Sequence, residues 1–205
     1  MNGADLAAEL RDEHETAFSR LGSSKAMYAL TGGEMDGDRV RAAAATDALA
    51  LAATLDTWIE NTDSGATADL FADLAEDARG HAAAVAEDPE LDEQPRLYDA
   101  LSGLDSAPAR LGGLLGRYLV AGEHAGQMVG FFVGDADPMA ADDFRDLRSA
   151  LEAERDRVVD ALDAECASEA EWERARGAAD AVIEAAYADY VETLESMGIK
   201  PKNVC

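Results

Sequence analysis

Along almost the whole chain, apolar residues return every three or four positions, and strict alternation never lasts more than a few residues. That is the repeat of packed α-helices, not of strands. Leu6, Leu10, His14 and Ala17 share one stripe and predict an amphipathic N-terminal helix over 2–20. A short helix over 23–30 stops at Gly32-Gly33. Val40, Ala44, Leu51, Leu55 and Trp58 predict a long helix over about 38–61, and Leu70, Leu74, His81 and Val85 another over 66–87. After Asp88-Pro89 comes a longer connection with a short helix near 97–104. Asp105-Ser106, with Pro108 in the first turn, opens an apolar helix reaching about 132. The next helix spans 138–165, with Phe144, Leu147, Leu151, Val158 and Leu162 inward. Ser168 and Glu171 form a capping box that opens a C-terminal helix over 168–198, which Gly198 ends.

The connection lengths turn these helices into a topology. Helices 38–61 and 66–87 share a short turn, as do 108–132 and 138–165, so each pair is an antiparallel hairpin. Two hairpins joined by one long crossover is the arrangement of ferritin-like four-helix bundles. The expectation is one all-α domain over 1–205, with a bundle core at about 38–165 and the N-terminal (2–20) and C-terminal (168–198) helices packed outside it.

Leu111–Gly134 is apolar enough to be tested as a membrane span, and Gly122, Gly126, Gly130 and Gly134 repeat at helical spacing along it. Arg117, Glu123 and His124 interrupt the run, and each charge near a bilayer centre costs ~3 kcal/mol. A buried bundle helix is therefore expected. Its glycines, each costing up to ~1 kcal/mol relative to alanine, predict a close helix contact within the bundle or across a dimer.

Charge changes the setting more than the fold. The chain carries a formal net charge of −26, with lysine only at Lys25, Lys200 and Lys202. The acidity is spread along the sequence and fits molar intracellular salt, where the Debye length is about 3 Å and self-repulsion is screened. A homodimer at high salt that loosens on desalting is expected. No basic cluster interleaved with aromatics is present, so no nucleic-acid partner is expected, nor a membrane one. Cys166 and Cys205 make no disulfide framework, and the charged first residues lack an apolar leader; a cytoplasmic protein is expected.

Candidate chemistry is narrow. The histidines are His14, His81 and His124, and the chain has no nucleophile elbow, glycine-rich phosphate loop or Cys-x-x-Cys. What remains is carboxylate and histidine chemistry inside a bundle. The stretch Glu76-Asp77-Ala78-Arg79-Gly80-His81 resembles the second bundle helix of rubrerythrin-like members of the ferritin-like superfamily. The resemblance implies an inward Glu-x-x-His that binds iron, with His81 as its histidine. The glutamate position is Ala78, and Asp77 lies four residues before His81, on the same face.

A di-iron bundle needs one glutamate from each of two helices and Glu-x-x-His from each of the other two. Here Glu154-Arg155-Asp156-Arg157 has arginine in the histidine place, Asp47 lies near the first helix's stripe, and Glu123 precedes His124. The resemblance thus implies a degenerate site with Asp47, Asp77, His81, Glu123 and Glu154 as remnant ligands. The leading expectation is a ferritin-like protein with no catalytic residues and no cofactor, acting through binding or assembly. The alternatives are an atypical oxidoreductase or metal protein holding iron or another divalent metal on those remnants, and a regulatory protein in transcription. In the plainer case His81 and His14 are core histidines with hydrogen-bonded partners, and His124 and the acids lie at the surface. The residues around Ala78 are expected to close without an ion cavity. His81 should meet Asp47, Asp77 or Glu154, with Arg157 as nearby counter-charge.

Overall fold

A computed structural model of the protein describes residues 1–91 and 94–201. Lys202 and Cys205 lie outside the described residues. Among those described there are nine helices and no strand: α1 Gly3–Glu13, α2 Glu15–Leu21, α3 Ser24–Leu30, α4 Gly37–Glu60, α5 Ala66–Val85, α6 Leu97–Ser102, α7 Ala107–Gly134, α8 Pro138–Glu165 and α9 Glu169–Ser196. None is long and apolar enough to cross a membrane.

The caps follow from local chemistry. Asn2, Asp36 and Asp137 accept backbone N–H bonds from Asp5, Arg39 and Ala140, and Ser168 with Glu171 closes a full capping box. The expected helix over 2–20 is two helices. His14 leaves the helical region at φ −101°, ψ 24°, and its ring Nε2 is hydrogen-bonded to Asp180 of α9 at 2.8 Å. The break lets α1 pack on α8 and α9 while α2 turns toward α7 and α9.

The hairpins α4–α5 and α7–α8 are present, with α4 also against α7 and α5 against α8. The C-terminal helix is not an outer addition. It runs along α7, with Ala175 opposite Gly112 and Ala179 opposite Gly116, so the two helices are parallel there. Ala175, Ala179, Val182, Ile183, Ala186, Tyr190 and Leu194 of α9 share one apolar core with Leu6 and Leu10 of α1, Leu55 and Trp58 of α4, and Leu114 and Leu115 of α7. A second apolar cluster near the α7–α8 turn stacks Phe132 on Phe144 at 5.0 Å.

The glycine stripe also changes meaning. A Cβ at Gly122, Gly130 or Gly134 would meet nothing within 4 Å among the described residues. The close contact is made about two to three turns earlier. A Cβ at Gly116 would stand 2.8 Å from the Ala179 carbonyl oxygen, and one at Gly112 would enter the backbone of Ala175. Helices this close require glycine on one side and alanine on the other.

Candidate ligand cavity

Small side chains meet where α3, α4, α5, α7, α8 and α9 converge. Ala43, Ala44 and Ala48 of α4, Ala78 of α5, and Ala121 and Ala125 of α7 cannot fill the space between helices held apart by larger residues elsewhere. They line a cavity of about 480 Å³ that also reaches Asp47, His81, Arg117 and His124. The expected closed packing around Ala78 is therefore not found: Ala78 is buried, yet it forms part of a cavity wall.

One side of the cavity is an ion pair between a buried arginine and a half-buried aspartate. Arg117 is only 2 % exposed and must keep a counter-charge close. Its Nη2 donates to Asp47 Oδ2 in a short bond, and its Nε donates to the Tyr98 hydroxyl at 3.2 Å. The Tyr98 hydroxyl donates in turn to Asp47, with Oδ1 and the carbonyl oxygen both at 2.7 Å. Burial raises the Tyr98 hydroxyl well above its usual range, partly offset by Arg117, so it stays protonated. Burial pulls Arg117 down, but Asp47 and the neighbouring tyrosines outweigh it and hold the guanidinium charged. The Arg117 Nη1 has no hydrogen-bond partner among the described residues, and the guanidinium lies 4.9 Å from the Tyr118 ring centre.

A second pair stands nearby. His81 Nε2 and Glu154 Oε1 are hydrogen-bonded at 2.5 Å, with Glu154 only 4 % exposed. Glu154 Oε2 and the Tyr118 hydroxyl are buried beside each other, and neither has another partner among the described residues. Burial first, and the Glu154 charge second, push the Tyr118 hydroxyl up.

His124, expected at the surface, is half-buried. It lines the cavity, and burial holds its imidazole below the usual histidine range against the opposing pull of Asp47 and Glu123; Arg117 lowers it further. The folded chain thus disfavours imidazolium, while the unfolded chain titrates near 6.5. Stability from this residue is complete above that value and is lost as pH falls from it toward the folded pKa. His124→Phe should therefore flatten the fall in Tm between about pH 7.5 and pH 5.5. Thermal melts of both proteins in molar potassium chloride check this, and parallel curves count against it.

The remnant ligand set divides. His81 and Glu154 come together, and Asp47 is taken by Arg117. Asp77 bonds Arg157 at 2.8 Å on the outer face, where Arg157 also holds Asp73 at 3.0 Å. Glu123 bonds Arg11 at 2.9 Å. Among the described residues no group of three or more His, Cys, Asp or Glu side chains is placed to hold a metal ion. Arg157 is no counter-charge to the His81 pair, because it lies on the solvent side of α8. Sequence reading treated Arg117 only as a break in an apolar run. The missed signal is that an arginine in the apolar first half of this helix has no solvent to face and needs an inward acid.

No protein family matches this chain, and no curated protein or solved structure matches it significantly.

Proposed function

We propose that this protein is a ferritin-like bundle whose interior binds a small molecule and performs no di-iron chemistry. The two hairpins, their side-by-side pairing and the connection through α6 support the ferritin-like reading. The observation that carries the binding reading is the alanine-walled cavity with a paired, charged arginine at its side. Its volume lies within the ~300–1,000 Å³ usual for ligand sites, which pair apolar walls with a few placed polar groups. Arg117 also argues against iron: a permanent cation occupies the inward position beside Asp47, and Ala78 supplies no donor atom.

The test is to fill the space. Ala48→Leu with Ala125→Leu adds side-chain volume at two walls. The wild type should take up the uncharged dye 6-propionyl-2-(dimethylamino)naphthalene at one saturable site, seen as blue-shifted emission in molar potassium chloride. The filled variant should stay folded and lose that site. Equal dye binding by a folded filled variant would reject the cavity as the site, and no binding by the wild type would reject the reading itself.

A further inference from the structure

We propose that His81, held in its reactive tautomer by Glu154, is a general base that takes a proton from a carbon atom of an apolar substrate in the cavity. This rests on the small-molecule reading above and adds a reaction to it. Glu154 is buried on α8 and, as a carboxylate, can only accept hydrogen bonds. Its Oε1 meets His81 Nε2, so that nitrogen carries the proton. Its other oxygen stands against the Tyr118 hydroxyl. The neutral ring then has its lone pair on Nδ1, which makes no hydrogen bond among the described residues. The ring lines the cavity and is 20 % exposed, and the enclosed atoms beside it that lack a partner are Glu154 Oε2 and the Tyr118 hydroxyl, not Nδ1.

An imidazole oriented by a carboxylate serves two kinds of chemistry, and the cavity wall chooses between them. Activating a serine or cysteine needs that side chain bonded to the base. Among the described residues no serine or cysteine lines the cavity, and Nδ1 holds no hydroxyl or thiol. Taking a proton directly from a substrate needs only the lone pair and space beside it. The gain is greatest at carbon, because O–H and N–H protons exchange rapidly with water unaided. The substrate is thus a carbon acid, with its C–H beside an electron-withdrawing group such as a carbonyl. The rest of it is apolar, to match Ala44, Ala48, Leu51, Ala125 and Leu151. In the step the proton passes to Nδ1, and the C–H electron pair moves onto the carbonyl oxygen. The imidazolium so formed lies against the Glu154 carboxylate, whose opposite charge stabilises it. Return of a proton from His81 to carbon restores the base. Glu154 touches no substrate and is a positioning residue.

The probe is 2-tetralone, a flat apolar ketone whose C–H bonds beside the carbonyl exchange with deuterium oxide when a base removes the proton. Proton NMR follows the exchange in molar potassium chloride. The full chain should speed it at least about a hundredfold over equimolar 4-methylimidazole, within the range a positioned base supplies. His81→Gln keeps a donor for Glu154 and removes the base; it should lose about a hundredfold while still binding the dye. Glu154→Gln should lower kcat for exchange roughly tenfold and leave KM within about twofold, the pattern of an interaction made in the transition state. Ala48→Leu with Ala125→Leu leaves the pair intact and should abolish exchange by excluding the ketone. Nitrogen NMR of the His81 ring at alkaline pH reads the tautomer without any turnover, and should place the proton on Nε2. Undiminished exchange by folded His81→Gln, or a proton on Nδ1, would overturn the base assignment. A Glu154→Gln effect confined to KM would overturn the positioning role. Dye binding without exchange would overturn the reaction and leave the binding reading standing. Failure of dye and ketone alike would remove the small-molecule reading as well.

Discussion

Asp47→Ala should cost about 3–5 kcal/mol of stability, the penalty for leaving a buried charge without its partner. Arg117 cannot escape by losing its proton, since arginine stays charged in proteins. It cannot reach water either, being enclosed at 2 % exposure between α4, α6 and α7. Tyr98 gives no relief, because its hydroxyl donates to Asp47 and is held protonated by burial. The double variant Asp47→Ala with Arg117→Met removes both charges and replaces the guanidinium with an apolar chain of similar reach. It should recover most of the loss, because an apolar substitute for a whole buried pair is often neutral or stabilising. Urea unfolding of the wild type, both single variants and the double variant in molar potassium chloride gives the cycle. A double variant as unstable as Asp47→Ala would mean that the pair is not the source of the cost.

The same residues show what was legible beforehand. Seven of the nine described helices, α3 to α9, lie where the apolar stripes and caps place them, because a three-to-four-residue repeat and a Ser or Asp before it are local signals. The division of 2–20 at His14 was not legible, because it depends on Asp180 of α9, far along the chain. The place of α9 was misread for a related reason. Its stripe predicts burial but not against which helix, and only the meeting of Gly112 and Gly116 with Ala175 and Ala179 decides that. At the site, His81 was singled out by the resemblance of its helix to one that carries an inward Glu-x-x-His, and its partner is Glu154, which the sequence offered as one of three candidates. The cavity itself has no linear signature. Alanine favours helix at every position, so a wall alanine and a packing alanine read alike until the opposing helices are in place.

Gly112→Ala and Gly130→Ala, the same substitution in one helix, should move stability in opposite directions. Taken alone, alanine gains up to about 1 kcal/mol over glycine in a helix interior. At Gly130 a new Cβ meets nothing within 4 Å, so the gain should appear in full. At Gly112 the Cβ would fall among the carbonyl oxygen, carbonyl carbon and Cα of Ala175, which are backbone and cannot rotate aside. The α7–α9 pair would have to separate, and Gly116 against Ala179 one turn later would lose its contact with it. Overpacking of this kind costs about 1–3 kcal/mol or more and overwhelms the propensity gain, so a net loss of about 2 kcal/mol is expected. Urea midpoints of the two variants measure both signs. A stabilised Gly112→Ala would mean that α7 and α9 do not approach as described. A destabilised Gly130→Ala carries a different meaning, since nothing among the described residues of one chain opposes it. It would show that a second copy covers that face in solution, and the loss should then disappear on dilution to the monomer.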